Sequence, residues 1–505
     1  MRRAPPHLLW ALVACGNVQP IPGATGVLED DAVAQAAAWQ APAGWVDGGV
    51  MACDAAREPS WVEQGRRLGQ PLYTDTFIVE QSAVVLGDGD RFVQVEGLGV
   101  AVERTLDGEA RAIPAPWPIT RVAAMDLRED GQRDLILLGQ GLQVVWDADS
   151  PNERIELLAQ GEPFSVFRAA VPGDLDGDGD LDLFALVAGG ETSGHSEGLL
   201  WRNEDGDLIG PEPVWDRADP RWGNPFSVRM MDFTGDAAPD LYVCNDFGPE
   251  QGGNWLLAND GRGGFTPEAA PGLELATYCM GTSVGDANAD GALDLYLGAI
   301  ESHFLLEKAG SGYVEAEAAA RLPGFLPHQM VWGSQMIDLD NDGAVDILAA
   351  TSDFTVPKAE AFPLWAMMGQ GDGTFVESGA ALGLPQAGYT RALVARDLNE
   401  DGLPDLFVTG FDATPRLYLS EGCTDGSFVV VEAPEGSVVE VEADGQVFAA
   451  LVTGRPGFSA SMRPEAHIGL GAVEVIDRLT LRPSWGPPVV LEGPMAPRRR
   501  LRWDP

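Results

Sequence analysis

Four nine-residue segments set carboxylates at alternate positions: DLDGDGDLD at 174–182, DANADGALD at 286–294, DLDNDGAVD at 338–346 and DLNEDGLPD at 397–405. Each has Asp at position 1, Asp or Asn at 3, Asp at 5, Gly at 6 and Asp at 9. Calcium takes about six to eight oxygens at about 2.3–2.6 Å, and a short turn can supply them from alternate carboxylates and a backbone carbonyl. Without a cation, two such carboxylates about 4 Å apart repel by up to roughly 4 kcal/mol at an effective dielectric of about 20. A bound Ca2+ reverses that repulsion.

The expected ligands are therefore Asp174, Asp176, Asp178 and Asp182; Asp286, Asn288, Asp290 and Asp294; Asp338, Asp340, Asp342 and Asp346; and Asp397, Asn399, Asp401 and Asp405. The glycine at position 6 allows the sharp reversal that points them inward. Two further copies are weaker. DFTGDAAPD at 232–240 offers Asp232, Thr234, Asp236 and Asp240, with Ala237 in place of the turn glycine. DLREDGQRD at 126–134 has Arg128 at position 3, whose guanidinium is expected to replace the metal by pairing with Asp126 and Asp130. The loops are not EF-hands, which need a glutamate at position 12 and flanking helices. That position holds Ala185, Leu297, Ala349 and Val408. A solvated Asp-Gly turn competes for any single copy, but less well for four in register.

The six starting aspartates lie 48, 58, 54, 52 and 59 residues apart, which marks a repeat architecture. Each loop precedes a short apolar run such as LDLFALV or LDLYLGA, read as a strand. Glycine-rich turns follow at 256–265, 305–313 and 367–375, each suited to a hairpin. One unit is thus a loop between two strands and then a hairpin, about four antiparallel strands. That unit fits a propeller blade better than a solenoid coil. VVLGDGDRF at 84–92 reads as the tail of another blade whose calcium loop is lost or supplied elsewhere. The predicted fold is all-β: a calcium-loop β-propeller of seven blades, alternatively six, followed by a small C-terminal β domain.

The chain has 77 acidic and 32 basic residues in 505, a net charge of -45. Such a field disfavours nucleic acid and anionic lipid and favours cations or basic partners. At the N-terminus, Arg2 and Arg3 precede the apolar stretch Leu8 to Ala14, too short to span a bilayer and read as a signal peptide. Leu12, Val13, Ala14 and Cys15 are similar to a bacterial lipobox, which implies lipidation of Cys15; ordinary signal cleavage beside a chance cysteine competes. The expected segments are a lipoprotein signal peptide at 1–15, a tether and N-terminal extension at 16–71, the propeller at 72–423 and the last β domain at 424–505. In an exported chain the remaining cysteines can pair. The repeat register places Cys244 and Cys279 on neighbouring units, leaving Cys53 with Cys423; buried free thiols are the alternative.

The repeat resembles the FG-GAP or VCBS calcium-loop blade, also used in integrin α-subunit heads. LYVCNDFGP at 241–249 with MGTSVGDANADGALDLYLG at 280–298 resembles the bacterial relatives of cartilage acidic protein. AHIGLGAVEVIDRLTLRPSWG at 466–486 resembles the ASPIC/UnbV domain that follows the propeller in that family, departing from it in the order of Pro483 and Trp485. The resemblance implies calcium binding and an extracellular location, without an agreed ligand or reaction.

GTSVG at 281–285 matches a G-x-S-x-G nucleophile elbow, but that motif needs a strand before and a helix after. An acidic loop and another strand follow Ser283 here. His195, His303, His328 and His467 show no metal-type spacing, and His467 reads as a structural residue. Trp201, Trp215, Trp222, Trp255 and Trp332 suit either a sugar site or, preferably, the core. The function expected is a lipid-anchored binding or adhesion module of the bacterial envelope, periplasmic or surface-facing on the outer membrane, recognising a protein or glycan and touching membrane only through its anchor. A carbohydrate-active enzyme, a lyase or hydrolase on a calcium propeller, is the runner-up, and an envelope scaffold or assembly factor is third.

Overall fold

The computed structural model describes residues 35–36, 39–50, 60–63 and 83–503, the last with interruptions at 87–90, 97–99, 106–108, 114, 151–152, 162–164, 190–195, 216–222, 317–319, 354–361, 385–389, 411–412 and 422–425. Cys15, Cys53, Cys423, Trp222 and His195 lie outside the described residues.

Six four-stranded antiparallel sheets follow one another at 119–160, 166–213, 224–268, 279–315, 329–377 and 390–421, the last completed by a strand from 60–63, and a sheet at 83–113 precedes them. In each complete meander the metal-type loop joins the first strand to the second, and a hairpin joins the third to the fourth. The first strands contact one another in sequence, and Thr390–Arg396 returns to Ala83–Leu86, closing a ring. Apolar clusters are shared by successive sheets right round: Val122 with Val93, Leu183 with Ile136, Leu241 with Phe184, Leu295 with Tyr242, Ile347 with Tyr296, Leu406 with Leu348, and Phe92 with Phe407.

This packing explains the sequence pattern. The second strands, such as Asp182–Ala188 and Asp294–Ala299, are buried along their whole length because a neighbouring sheet covers each face. They therefore read as continuous apolar runs instead of alternating ones. The fourth strands, such as Asp207–Pro213, lie at the rim and are mostly exposed. Cys244 and Cys279 are disulfide-bonded with Cα atoms 5.5 Å apart, linking two adjacent sheets.

Three placements correct the sequence reading. The stretch 84–92 is the start of a sheet, not its tail: Ala83–Leu86 and Arg91–Glu96 are its first two meander strands. The region assigned to a tether supplies two strands. Ser60–Glu63 pairs with Ala413–Glu421 as the fourth strand of the last sheet, and Trp45–Val50 pairs with Arg499–Trp503 in the C-terminal domain. Both are short, and pairing with an edge left open by distant residues gives no local periodicity from which to predict them.

The C-terminal domain packs two four-stranded sheets face to face around Val429, Val431, Val439, Val441, Ile476, Leu479, Leu481 and Leu501. From it, the segment 453–462 enters the axis of the ring. Ala460 and Ser461 add a parallel strand to Ala83–Val84, and Phe458 stacks on Phe226 at 5.0 Å between ring centroids.

Candidate metal centres

All six Asp loops share one hydrogen-bond pattern. The position-1 carboxylate accepts the N–H of position 6 at 2.8–3.0 Å, in the pairs Gly131 to Asp126, Gly179 to Asp174, Ala237 to Asp232, Gly291 to Asp286, Gly343 to Asp338 and Gly402 to Asp397. Position 5 accepts from position 7, as in Asp180 N–H to Asp178 and Ala344 N–H to Asp342. Positions 4 and 6 both take positive φ in every copy, from Glu129 and Gly131 to Glu400 and Gly402.

Position 9 has a role the sequence reading missed. One oxygen of Asp134, Asp182, Asp240, Asp294, Asp346 and Asp405 accepts the N–H of position 2. The other accepts the N–H of Asp147, Asn203, Asn259, Lys308, Gly369 or Ser420, at the third strand. This aspartate clasps loop to hairpin in all six copies, those at 126 and 232 included. A carboxylate has about four lone-pair sites, so the clasp leaves capacity for a metal.

Two loops gather their acidic groups as a metal would need. Asp174, Asp176 and Asp182 each bring a carboxylate oxygen within 4.8 Å of the others, and so do Asp338, Asp340 and Asp346. Asp178 and Asp342 are not in these clusters, being turned to the position-7 N–H. In each cluster one buried oxygen, Asp176 Oδ1 or Asp338 Oδ1, has no hydrogen-bond partner. Among the described residues, the loops at 286, 397 and 232 do not bring three acidic groups this close. In the 397 loop Asn399 donates its amide to Asp401 at 3.0 Å, an internal bond in place of shared carboxylate ligation.

Basic side chains reach three of the loops, one of the two clustered ones among them. Arg128 pairs with Asp130 at 3.3 Å, Asp134 at 3.5 Å and Asp147, not with Asp126 as expected, since Asp126 faces the N–H groups of Asp130 and Gly131. Lys308 donates to Phe233 O at 3.0 Å in the 232 loop. Arg202 pairs with Asp176.

Burial raises the position-9 carboxyls: Asp182 and Asp294 to about 7, Asp134, Asp240 and Asp405 to about 6. Desolvation and the like charges of its neighbours push Asp338 well up. At these sites desolvation brings the carboxylates close to protonation.

The C-terminal domain roofs several loops. Trp485 donates its indole N–H to Asp174 O, and its ring packs on Gly177. His467 Nε2 meets Asn341 Oδ1 at 2.7 Å, Asn341 Nδ2 donates to Gly402 O at 2.8 Å, and Gly471 N–H donates to Asn341 O at 3.1 Å. Asn341 thereby ties the 338 loop, the 397 loop and the strand Glu465–Gly471 together. Glu465 pairs with Arg396 at 3.0 Å and Arg500 at 2.9 Å, and these cations hold its carboxyl below the usual range despite burial.

Ser283 lies in the strand Cys279–Gly285, is buried, and hydrogen-bonds Ser334 Oγ at 3.1 Å; the strand Asp294–Ala299 follows the loop where an elbow would need a helix. Trp201, Trp215 and Trp332 are in the core, and Trp255 packs against it. Among the described residues, no helix is long and apolar enough to cross a membrane.

Residues 174–243, 232–297 and 338–408 match the FG-GAP-like repeat, and 433–485 match the ASPIC and UnbV domain. No curated protein sequence matches the chain. Similar solved structures include BBS1N in complex with ARL6DN (TM-score 0.45, 9% identity, covering 71% of this chain and 96% of that one) and a catalytically inactive virginiamycin B lyase from Staphylococcus aureus with quinupristin (0.43, 10%, 72% and 98%). With three such repeats in a ring of meander sheets and the matched domain seated on their loops, the chain is an FG-GAP repeat protein with a C-terminal ASPIC/UnbV domain.

Proposed function

We propose that the chain is a calcium-stiffened binding module of the bacterial cell envelope, exported and held by a lipid on Cys15. The observation that carries the calcium assignment is the pair of three-carboxylate clusters, each with a buried carboxylate oxygen lacking a partner. An all-oxygen, anionic donor set suits a hard divalent cation. Asp174, Asp176 and Asp182 hold one ion, and Asp338, Asp340 and Asp346 another. The loops at 286 and 397, which share the backbone turn, are weaker sites. The ion supplies the positive charge that lets these carboxylates stay ionised in a buried place. With a Kd of about 0.1 mM and calcium near 1 mM, linkage gives roughly 1.4 kcal/mol per site.

The C-terminal domain occupies the loop face, so the partner-binding surface is the opposite face of the ring. Loops on a rigid scaffold are the usual carriers of recognition, and the role proposed is binding of a protein or glycan, not catalysis. Calorimetric titration of chelated protein with calcium tests the first half: at least two equivalents bind and the melting temperature rises, whereas heat-silent titration with an unchanged melt rejects it. A protein and glycan binding screen with and without calcium tests the second.

A further inference from the structure

The axis of the ring holds a concentration of positive charge that is unexpected in so acidic a chain. Arg121, Arg168 and Arg229 project from three successive first strands, and Arg455 comes from the inserted segment 453–462; all four line one cavity of about 40 Å³ together with Ser227 and Thr282. Among the described residues, no carboxylate lines it. The nearest countercharge described is Glu435, which attracts both Arg229 and Arg455 and is itself engaged by Thr453 Oγ1 at 2.7 Å and Gly454 N–H at 2.6 Å. One carboxylate thus serves both Arg229 and Arg455.

The polar atoms left over all point to the same chemistry. Arg229 Nε, Arg455 Nη2, Ser227 Oγ and Thr282 Oγ1 are buried without hydrogen-bond partners. Arg229 is 5% and Thr282 1% exposed. Guanidinium nitrogens can only donate, and hydroxyls can turn to donate. A water among such groups finds donors for its lone pairs but few acceptors for its protons; an anion takes every one of them. Burial lowers Arg229 and Arg455 only to about 10, so both are charged at neutral pH. The cavity exceeds the roughly 10–15 Å³ that admits one water, leaving room for a halide-sized ion.

We propose that this cavity is an internal anion site for a small monovalent inorganic anion of the chloride class, and that the anion bolts the inserted segment of the C-terminal domain into the ring. Arg229 already holds the segment by donating to Arg455 O, and to Pro456 O at 3.2 Å. An anion bridging Arg229 and Arg455 adds the countercharge that keeps these cations buried side by side.

The test uses the full exported chain with calcium supplied as gluconate, so that calcium binding and anion binding are read separately. Replacing gluconate by chloride or bromide at equal ionic strength is expected to raise the melting temperature by about 2–5 °C. Crystals grown in bromide are expected to show an anomalous peak between Arg229, Arg455 and Thr282. Arg455→Met removes the halide-dependent shift, and the near-isosteric Thr282→Val, which preserves folding, reduces it. Identical melts in gluconate and halide, or no bromide peak in the wild-type cavity, overturns the proposal whatever calcium does.

Discussion

Asp134 sits in a loop whose third position is an arginine, yet its carboxylate makes the same two backbone bonds as Asp182 or Asp346. Removing it leaves the buried N–H of Leu127 and the half-buried N–H of Asp147 unpaired, at about 1–3 kcal/mol for a buried group. Asp134→Ala is therefore expected to destabilise the protein by about 2–4 kcal/mol in denaturant titrations, equally with calcium and with chelator. Asp340→Ala, by contrast, should act mainly by shrinking the calcium-dependent part of the stability. Ala237 gives the converse case. It holds the left-handed turn position, φ 71, that glycine occupies in the five other copies. An L-residue there is disfavoured by about 1–2 kcal/mol, so Ala237→Gly is expected to stabilise the fold by about 1 kcal/mol, read as a shift in denaturation midpoint. The spacing of the aspartates is legible at this scale. What each carboxylate does is not, because a ligand and a clasp need the same residue type and differ only in which N–H groups the folded loop turns toward them.

At the scale of elements, the strand Glu465–Gly471 lies across the 338 loop so closely that a Cβ at Gly469 has no room beside the Asp338 carboxylate. Gly469 needs no unusual backbone angle; its small size is what the contact demands. Gly469→Ala is expected to lower stability by about 1–3 kcal/mol through overpacking, and to make cleavage between ring and C-terminal domain faster under limited proteolysis. Unchanged proteolysis would show that the strand does not seat there. The hairpins and second strands were readable because turn glycines and apolar runs are local signals. The closing strand Ser60–Glu63 and the swap of Trp45–Val50 into the last domain were not, because partners hundreds of residues away define them.

For the whole molecule, the raised carboxyls set a pH dependence. In the unfolded chain these aspartates titrate near their ordinary value of 3.8, while in the folded, metal-free chain burial raises Asp182 and Asp294 to about 7 and Asp405 to about 6. The folded state binds more protons in that interval, so the stability of the chelated protein falls as pH rises through it. Chelated protein is expected to melt several degrees higher at about pH 5.5 than at about pH 7.5, and the increment given by calcium should be larger at the higher pH, since calcium competes with those protons. Melts with the opposite order would contradict the burial of these groups.

The repeat period, the loop chemistry, the strands behind each loop and the Cys244–Cys279 pairing are written along the chain, because each depends on residues near in sequence or on a regular interval. Tertiary structure alone decided which loops bring three carboxylates together, that the C-terminal domain roofs them, and that its inserted segment carries a fourth arginine into the axis of the ring. Those outcomes depend on distances between segments far apart in sequence, fixed only when the ring closes and the last domain docks on it.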